Sequence, residues 1–160
     1  MDSIDVVVET PKGSNYKYKY DKKSDRLKAN KILPTGLAFP YDFGYIPGSK
    51  DEDGDPLDVM IIAENSFIPG SIVECEILCS IMAEQTSRNG NTVRNDRILV
   101  TPKLSLEKDV ELMFENFSKN KITEIENFFI YYNKEEGKEF KPKGILNAKE
   151  TWKRIKKHLG

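Results

Sequence analysis

An α+β domain, built as a small closed β-barrel flanked by helices, is the fold class this sequence predicts. Three observations carry that prediction. Strand patterns come first and run as far as Pro102, and helical spacing follows them. The longest strand candidate, "IVECEILCSIM", has the mixed faces of a curved barrel strand.

The elements follow in order. "IDVVVETP" is a β-branched run stopped by Pro11, and "PKGSN" supplies turn chemistry. "YKYKYD" alternates strictly, with Tyr16, Tyr18 and Tyr20 on one face and Lys17 and Lys19 on the other, as in a half-buried strand. "RLKANKIL" is a further strand. "PTGLAFPYDFGYIPGS" reads as a loop because Pro and Gly punctuate its aromatics. After an acidic turn, "DVMIIAE" is a compact strand and Pro69-Gly70 a turn. The long strand then leads through "EQTSRNGNTVRND", an exposed loop or hairpin, to the strand "RILVTP". "SLEKDVELMFENF" opens a helix with Ser105 as N-cap. "KITEIENFFIYYNK" is a second helix ending near Gly137. "NAKETWKRIKKHLG" is a third, capped by Asn147 with Glu150 at the capping-box position and Lys, Arg and His in its last turns.

The chain of 160 residues has 38% hydrophobic and 32% charged residues, which suits one domain, residues 1–160, with a substantial core. A net charge of -1 gives no bulk attraction for nucleic acid or an anionic membrane. No apolar run approaches the roughly 20 residues of a membrane span, and the acidic start "MDSIDVVVET" does not resemble a secretion signal. Cys75 and Cys79, about 13 Å apart if both lie on one strand, are too distant to bridge. They read as reduced packing residues of a cytoplasmic protein. His158 reads as a helix-end residue, and Trp152 as the anchor of the last helix.

"DEDGDPLDVMII" is the stretch that asks for chemistry. Asp51, Glu52, Asp53, Asp55 and Asp58 crowd into one turn, and their repulsion raises their pKa values unless a cation sits among them. Mg²⁺, a hard ion preferring oxygen ligands, supplies that charge, with Mn²⁺ as a substitute. Gly54 allows the tight turn and Pro56 stiffens it. An EF-hand fails, because its glycine position is Pro56 and its terminal glutamate position is Ile62. A plain solvated acidic loop is the other reading.

"DGDPLDV" resembles the signature of the soluble family I inorganic pyrophosphatases. "VVVETPKGS", "KYKYDKKSDRL", "FPYDFGYIPGS", "IPGSIVECEI", "RILVTP" and "FFIYYNKEEGK" resemble the family's other blocks, in its order and near its spacing. The resemblance spans almost the whole chain. It implies an OB-like five-stranded barrel with helices, hydrolysing pyrophosphate to two phosphates with several Mg²⁺ ions, and a homo-oligomer. It assigns metal binding to Asp53 and Asp58, and proton abstraction from the attacking water to Asp55. Glu9 matches a glutamate that binds metal, usually through water. Lys17 and Tyr132 match phosphate-contacting residues. Asp51 and Glu52 lie outside the pattern and are left solvated.

Departures from the pattern mark a divergent member with altered turnover or preference. Lys19 stands at a usual glutamate. Lys31 replaces a phosphate-gripping arginine, keeping charge but losing the fork. Phe39 and Phe43 replace tyrosines, and Asn133 replaces a lysine that Lys134 could supply instead. The second acidic pair appears as Glu84-Gln85. The later metal-binding aspartate aligns with Asn95 unless Asp96 takes its place, and Arg97 replaces a lysine. The expected metal set is therefore Asp53, Asp58, Glu9, Glu84 and Asp96, and the substrate set Lys17, Lys31, Arg97, Tyr132 and Lys134. Two rival readings are a weakened relative that binds phosphate or nucleotide without efficient turnover, and an OB-type nucleic-acid module using "NYKYKYDKK". The alternation of that segment suits an ordinary strand, so no nucleic-acid partner is expected.

Overall fold

The computed structural model describes residues 3–51, 54–117 and 119–159. Its strands are β1 (Ile4–Thr10), β2 (Tyr16–Asp21), β3 (Arg26–Ile32), β4 (Asp42–Tyr45), β5 (Asp58–Ile61), β6 (Ile72–Thr86), β7 (Thr92–Arg94), β8 (Arg97–Pro102) and β9 (Glu139–Asn147). The helices are α1 (Val110–Asn116), α2 (Lys119–Glu135) and α3 (Ala148–Ile155), the last running into a 3₁₀ turn at Lys156–His158. The architecture is α+β, a mixed sheet with three helices.

The pairings run from β1 to β4, β5, β8 and β6, and β6 pairs again with β1. All are antiparallel except β5 with β8, and β7 and β9 extend the sheet from β6. β2 and β3 form a separate hairpin. Both faces of the central strands are buried. Val6, Val8, Val59, Ile61, Ile77 and Val100 fill one cluster, which Trp152 joins from α3. Met60, Leu78 and Leu99, on the opposite face, pack with Phe39, Phe43 and the α2 residues Phe128 and Phe129. Double-sided burial explains why "DVMII" and "RILV" are continuous apolar runs rather than alternating ones. No helix among the described residues is long and apolar enough to cross a membrane.

The structure departs from expectation in three elements. β4 lies inside the predicted loop 34–49. Its pairing depends on Gly44, where a Cβ would strike the Val7 carbonyl across the β1–β4 ladder. β9 was not predicted, because Pro142 and Gly144 interrupt its sequence. A register shift between Met82 and Ala83 of β6 accommodates the break. The first helix is capped by Asp109, whose side chain accepts from the Leu112 N–H at 3.2 Å, rather than by Ser105. The α3 cap is as expected: Asn147 accepts from the Glu150 N–H at 2.9 Å. Cys75 and Cys79 are free and buried, and burial pushes both thiols up to about 12.

Candidate active site

Strand geometry brings the charged residues to one end of the sheet. β5 and β8 are parallel with Val59 opposite Ile98, so their first residues, Asp58 and Arg97, start side by side. On β1, Val8 pairs with Gly44 and Thr10 with Phe43. Glu9 is therefore the extra residue of a bulge, and bulges re-aim side chains. Glu9 is buried, with its carboxylate accepting from the Tyr20 N–H at 2.8 Å. A second irregularity follows Lys17, which pairs with Lys31, while Tyr18 pairs with Ala29. The lysine face of "YKYKY" is the one turned toward the site. Lys17 and Lys19 are half-buried, whereas Tyr16 and Tyr20 are exposed. A strand with its cations inward and two of its tyrosines outward serves an anionic site.

The acidic turn closes on itself. The Asp51 N–H donates to the Asp55 carbonyl at 2.7 Å, and the Gly54 N–H donates to the Asp51 carbonyl at 3.0 Å. Gly54 has φ of +89°, a left-handed conformation that glycine adopts without strain. Asp55 and Asp58 line a cleft together with Phe43, Asn95, Asp96 and Arg97. Asp51, expected in solvent, is half-buried and lines the same cleft. Asp53 and Glu52 lie outside the described residues.

Glu9 and Asp58 are held in an environment that resists their ionisation. Burial pushes Glu9 up to about 7, helped by the charge of Asp58 and opposed by the Tyr20 N–H and by Lys19 and Lys17. Burial also raises Asp58, against the pull of Lys17, Lys19 and Arg97. Lys17 is pushed down to about 8 by burial, with Asp58 opposing and the neighbouring cations reinforcing. These mutual influences place Glu9, Lys17, Lys19, Asp58 and Arg97 in one electrostatic cluster.

Around the cleft, cations face an aromatic wall. The Lys17 ammonium lies 5.8 Å from the Phe43 ring centre and 5.6 Å from that of Tyr132, and Lys31 lies 5.5 Å from Tyr132. Lys31 also pairs with Glu136 at 2.7 Å. The Arg97 guanidinium sits 4.4 Å from the Phe129 ring and 5.3 Å from that of Phe140. The Tyr132 hydroxyl and the Arg97 Nε are buried without a hydrogen-bond partner. Orphaned donors beside clustered cations are what an oxyanion would satisfy.

Several expected residues stand elsewhere. Glu84 points away from the cleft and pairs with Lys143 at 3.5 Å, because alternation along β6 sends Glu84 and Gln85 to opposite faces. Gln85 is the residue turned inward: its Oε1 accepts from Asn95 Nδ2 at 2.9 Å and from Arg97 Nη2 at 3.2 Å. Asp96 lines the cleft, but its carboxylate is taken by Arg94 at 3.0 and 3.1 Å, by Arg154 at 3.5 Å and by the Ala83 N–H. Lys134 is exposed, and its neighbour Asn133 is buried with Nδ2 donating to the Phe129 carbonyl. Phe39 packs against Phe128 at 5.1 Å in the core. Sequence reading missed Glu136 and the inward role of Gln85. The first needed a partner 105 residues away and the second needed the β6 register.

The donor set divides where Mg²⁺ is concerned. Glu9 and Asp58 fit a hard cation: they are oxygen donors whose ionised forms are penalised by burial, and Asp55 lines one cleft with Asp58. Among the described residues no three acidic, histidine or cysteine side chains converge as a ligand group, with Asp53 outside that description. Glu84 and Asp96 do not fit. Their carboxylates are neutralised by lysine and arginine, and the amides of Gln85 and Asn95 are bonded to each other.

The family model described as inorganic pyrophosphatase matches residues 6–160. The chain belongs to the inorganic pyrophosphatase family. A pyrophosphatase of Saccharolobus solfataricus is 35% identical over 160 residues, covering 99% of this chain and 91% of the relative. One from Sulfolobus acidocaldarius is 35% identical over 96% of this chain and 88% of its own length. Among solved structures, the inorganic pyrophosphatase of Helicobacter pylori superposes with a TM-score of 0.85 at 27% identity, covering 99% of this chain and 92% of that one. That of Coxiella burnetii superposes with a TM-score of 0.84 at 26% identity, over 99% and 94% of the two chains.

Proposed function

We propose that the protein hydrolyses inorganic pyrophosphate to two phosphates, with Asp55 as general base. The observation that carries this reading is the cleft itself. Acidic Asp55 and Asp58 meet basic Arg97 there, and Lys17 acts on Asp58 from the aromatic wall. Such an arrangement can hold a polyanion against a nucleophile-activating carboxylate.

Lys17, Lys31, Arg97 and the Tyr132 hydroxyl grip the phosphoryl oxygens, and the rings of Phe43 and Phe129 exclude bulk water around them. Asp55 accepts a proton from the attacking water. The oxygen bonds to one phosphorus, the bridging P–O bond breaks, and its electrons leave with the second phosphate. Asp58 and Glu9, joined by Asp53, are the residues that would hold Mg²⁺. When bound, that ion supplies the positive charge that lets the carboxylates ionise together and makes water more acidic.

The same reading treats the β1–β4–β5–β8–β6 ring as an OB-like barrel. It makes the protein a cytoplasmic homo-oligomer with neither nucleic-acid nor membrane partners. The buried thiols and the exposed Leu104 and Leu106 support the reduced compartment and the self-association. Phosphate release with Mg²⁺ tests the activity, and Asp55→Asn tests the assignment. The variant should fold normally and lose about 10²–10⁴-fold in turnover. Release at the unmodified rate would remove Asp55 from its role.

A further inference from the structure

Arg97 is held unusually for a half-buried cation. Its guanidinium is stacked on Phe129 and Phe140, its Nε has no partner, and the side chain that fixes its Nη2 is the neutral Gln85. Among the described residues no carboxylate hydrogen-bonds it, although Asp58 acts on it through space. A partly desolvated charge whose hydrogen bond goes to an amide is costly unless something anionic completes it. The Gln85–Asn95 side of the wall offers a cation little: Asn95 Nδ2 is turned to Gln85 Oε1, which already accepts from two donors.

We propose that Gln85 is a positioning residue that presents Arg97 with its full charge, so that this wall grips a phosphoryl group directly rather than through a divalent cation. The proposal rests on the pyrophosphatase reading above. Its consequence is that pyrophosphate binds measurably in the absence of metal, and that this binding depends on the neutrality of residue 85. Glutamine is the side chain suited to the task. Its size matches glutamate, and its oxygen accepts from both Asn95 and Arg97 without cancelling the guanidinium.

Gln85→Glu separates this role from a structural one, because glutamate keeps the acceptor and strengthens the bond to Arg97 while neutralising it. Isothermal titration of pyrophosphate into the protein in excess EDTA should give saturable binding for the unmodified chain. The affinity should be about tenfold or more weaker in Gln85→Glu, with no fall in melting temperature. Affinity within about twofold of the unmodified chain overturns the proposal, since an interaction of this size cannot be so small. Should Gln85→Glu fail to fold, the unmodified protein still decides: the Arg97 Nε–H resonance must move when pyrophosphate is added in EDTA, and its failure to move overturns the proposal. The functional reading fails separately. It falls if the unmodified protein releases no phosphate with Mg²⁺, whereas normal release without metal-free binding sinks only the role given to Gln85.

Discussion

Replacing Glu9 by glutamine should stabilise the metal-free protein, and by an amount that depends on pH. In the fold, burial and Asp58 raise this carboxyl from 4.5 to about 7, which at about 1.4 kcal/mol per pH unit corresponds to roughly 3 kcal/mol. The sign follows from proton counting. Below pH 4.5 the group is protonated in both states and costs nothing. Between 4.5 and about 7 the unfolded chain releases its proton first, so stability falls as pH rises. Above that range the full penalty is present. Glutamine removes the charge and keeps an oxygen for the Tyr20 N–H. Urea denaturation in EDTA should therefore show Glu9→Gln more stable than the unmodified chain by about 2–3 kcal/mol at pH 8, with little difference at pH 4. Saturating Mg²⁺ should narrow the gap at pH 8, because the cation supplies the charge Glu9 lacks. Equal stability at pH 8, or the same gain at pH 4, would refute the reasoning.

Three further outcomes are expected. Gly44→Ala should destabilise the fold by more than about 3 kcal/mol, since the added methyl meets the Val7 carbonyl inside a ladder, and denaturant midpoints measure it. Lys17→Met should lower kcat/KM by about 10²–10³-fold while leaving the melting temperature unchanged or higher, because it removes a desolvated cation that acts on substrate. Asn147→Ala should cost about 1 kcal/mol through loss of the α3 cap and leave phosphate release per folded molecule unaltered.

Local patterns in the sequence revealed whatever a short window determines. The strand "YKYKYD", the apolar runs of β5 and β8 and the Asn147 cap each depend on neighbours within a few residues and each is found, although Tyr18 is half-buried with the lysines rather than exposed with Tyr16 and Tyr20. β4 and β9 were not legible in this way, because their strand character comes from partners. Gly44 and Pro142 look like breakers until β1 and β6 lie alongside them. The site divided along the same line. The turn gathers Asp55 and Asp58 into one cleft, as a short window of sequence suggests. Glu84 turns to Lys143 through the β6 register, which no local pattern reveals. Asp96 is engaged by Arg94 beside it and by Arg154 from the last helix, and the second of these partners cannot be read from a local window. Glu136, which engages Lys31 across 105 residues, was invisible for the same reason. Which face of the lysine strand turns inward also depended on assembly, since alternation defines two faces without choosing between them.

Phosphorus NMR of pyrophosphate mixed with the purified protein tests the central claim most directly. With Mg²⁺ present, the pyrophosphate resonance should give way to orthophosphate, and chelation of the metal should stop the conversion. A pyrophosphate signal that persists at micromolar protein and saturating Mg²⁺ would contradict the account.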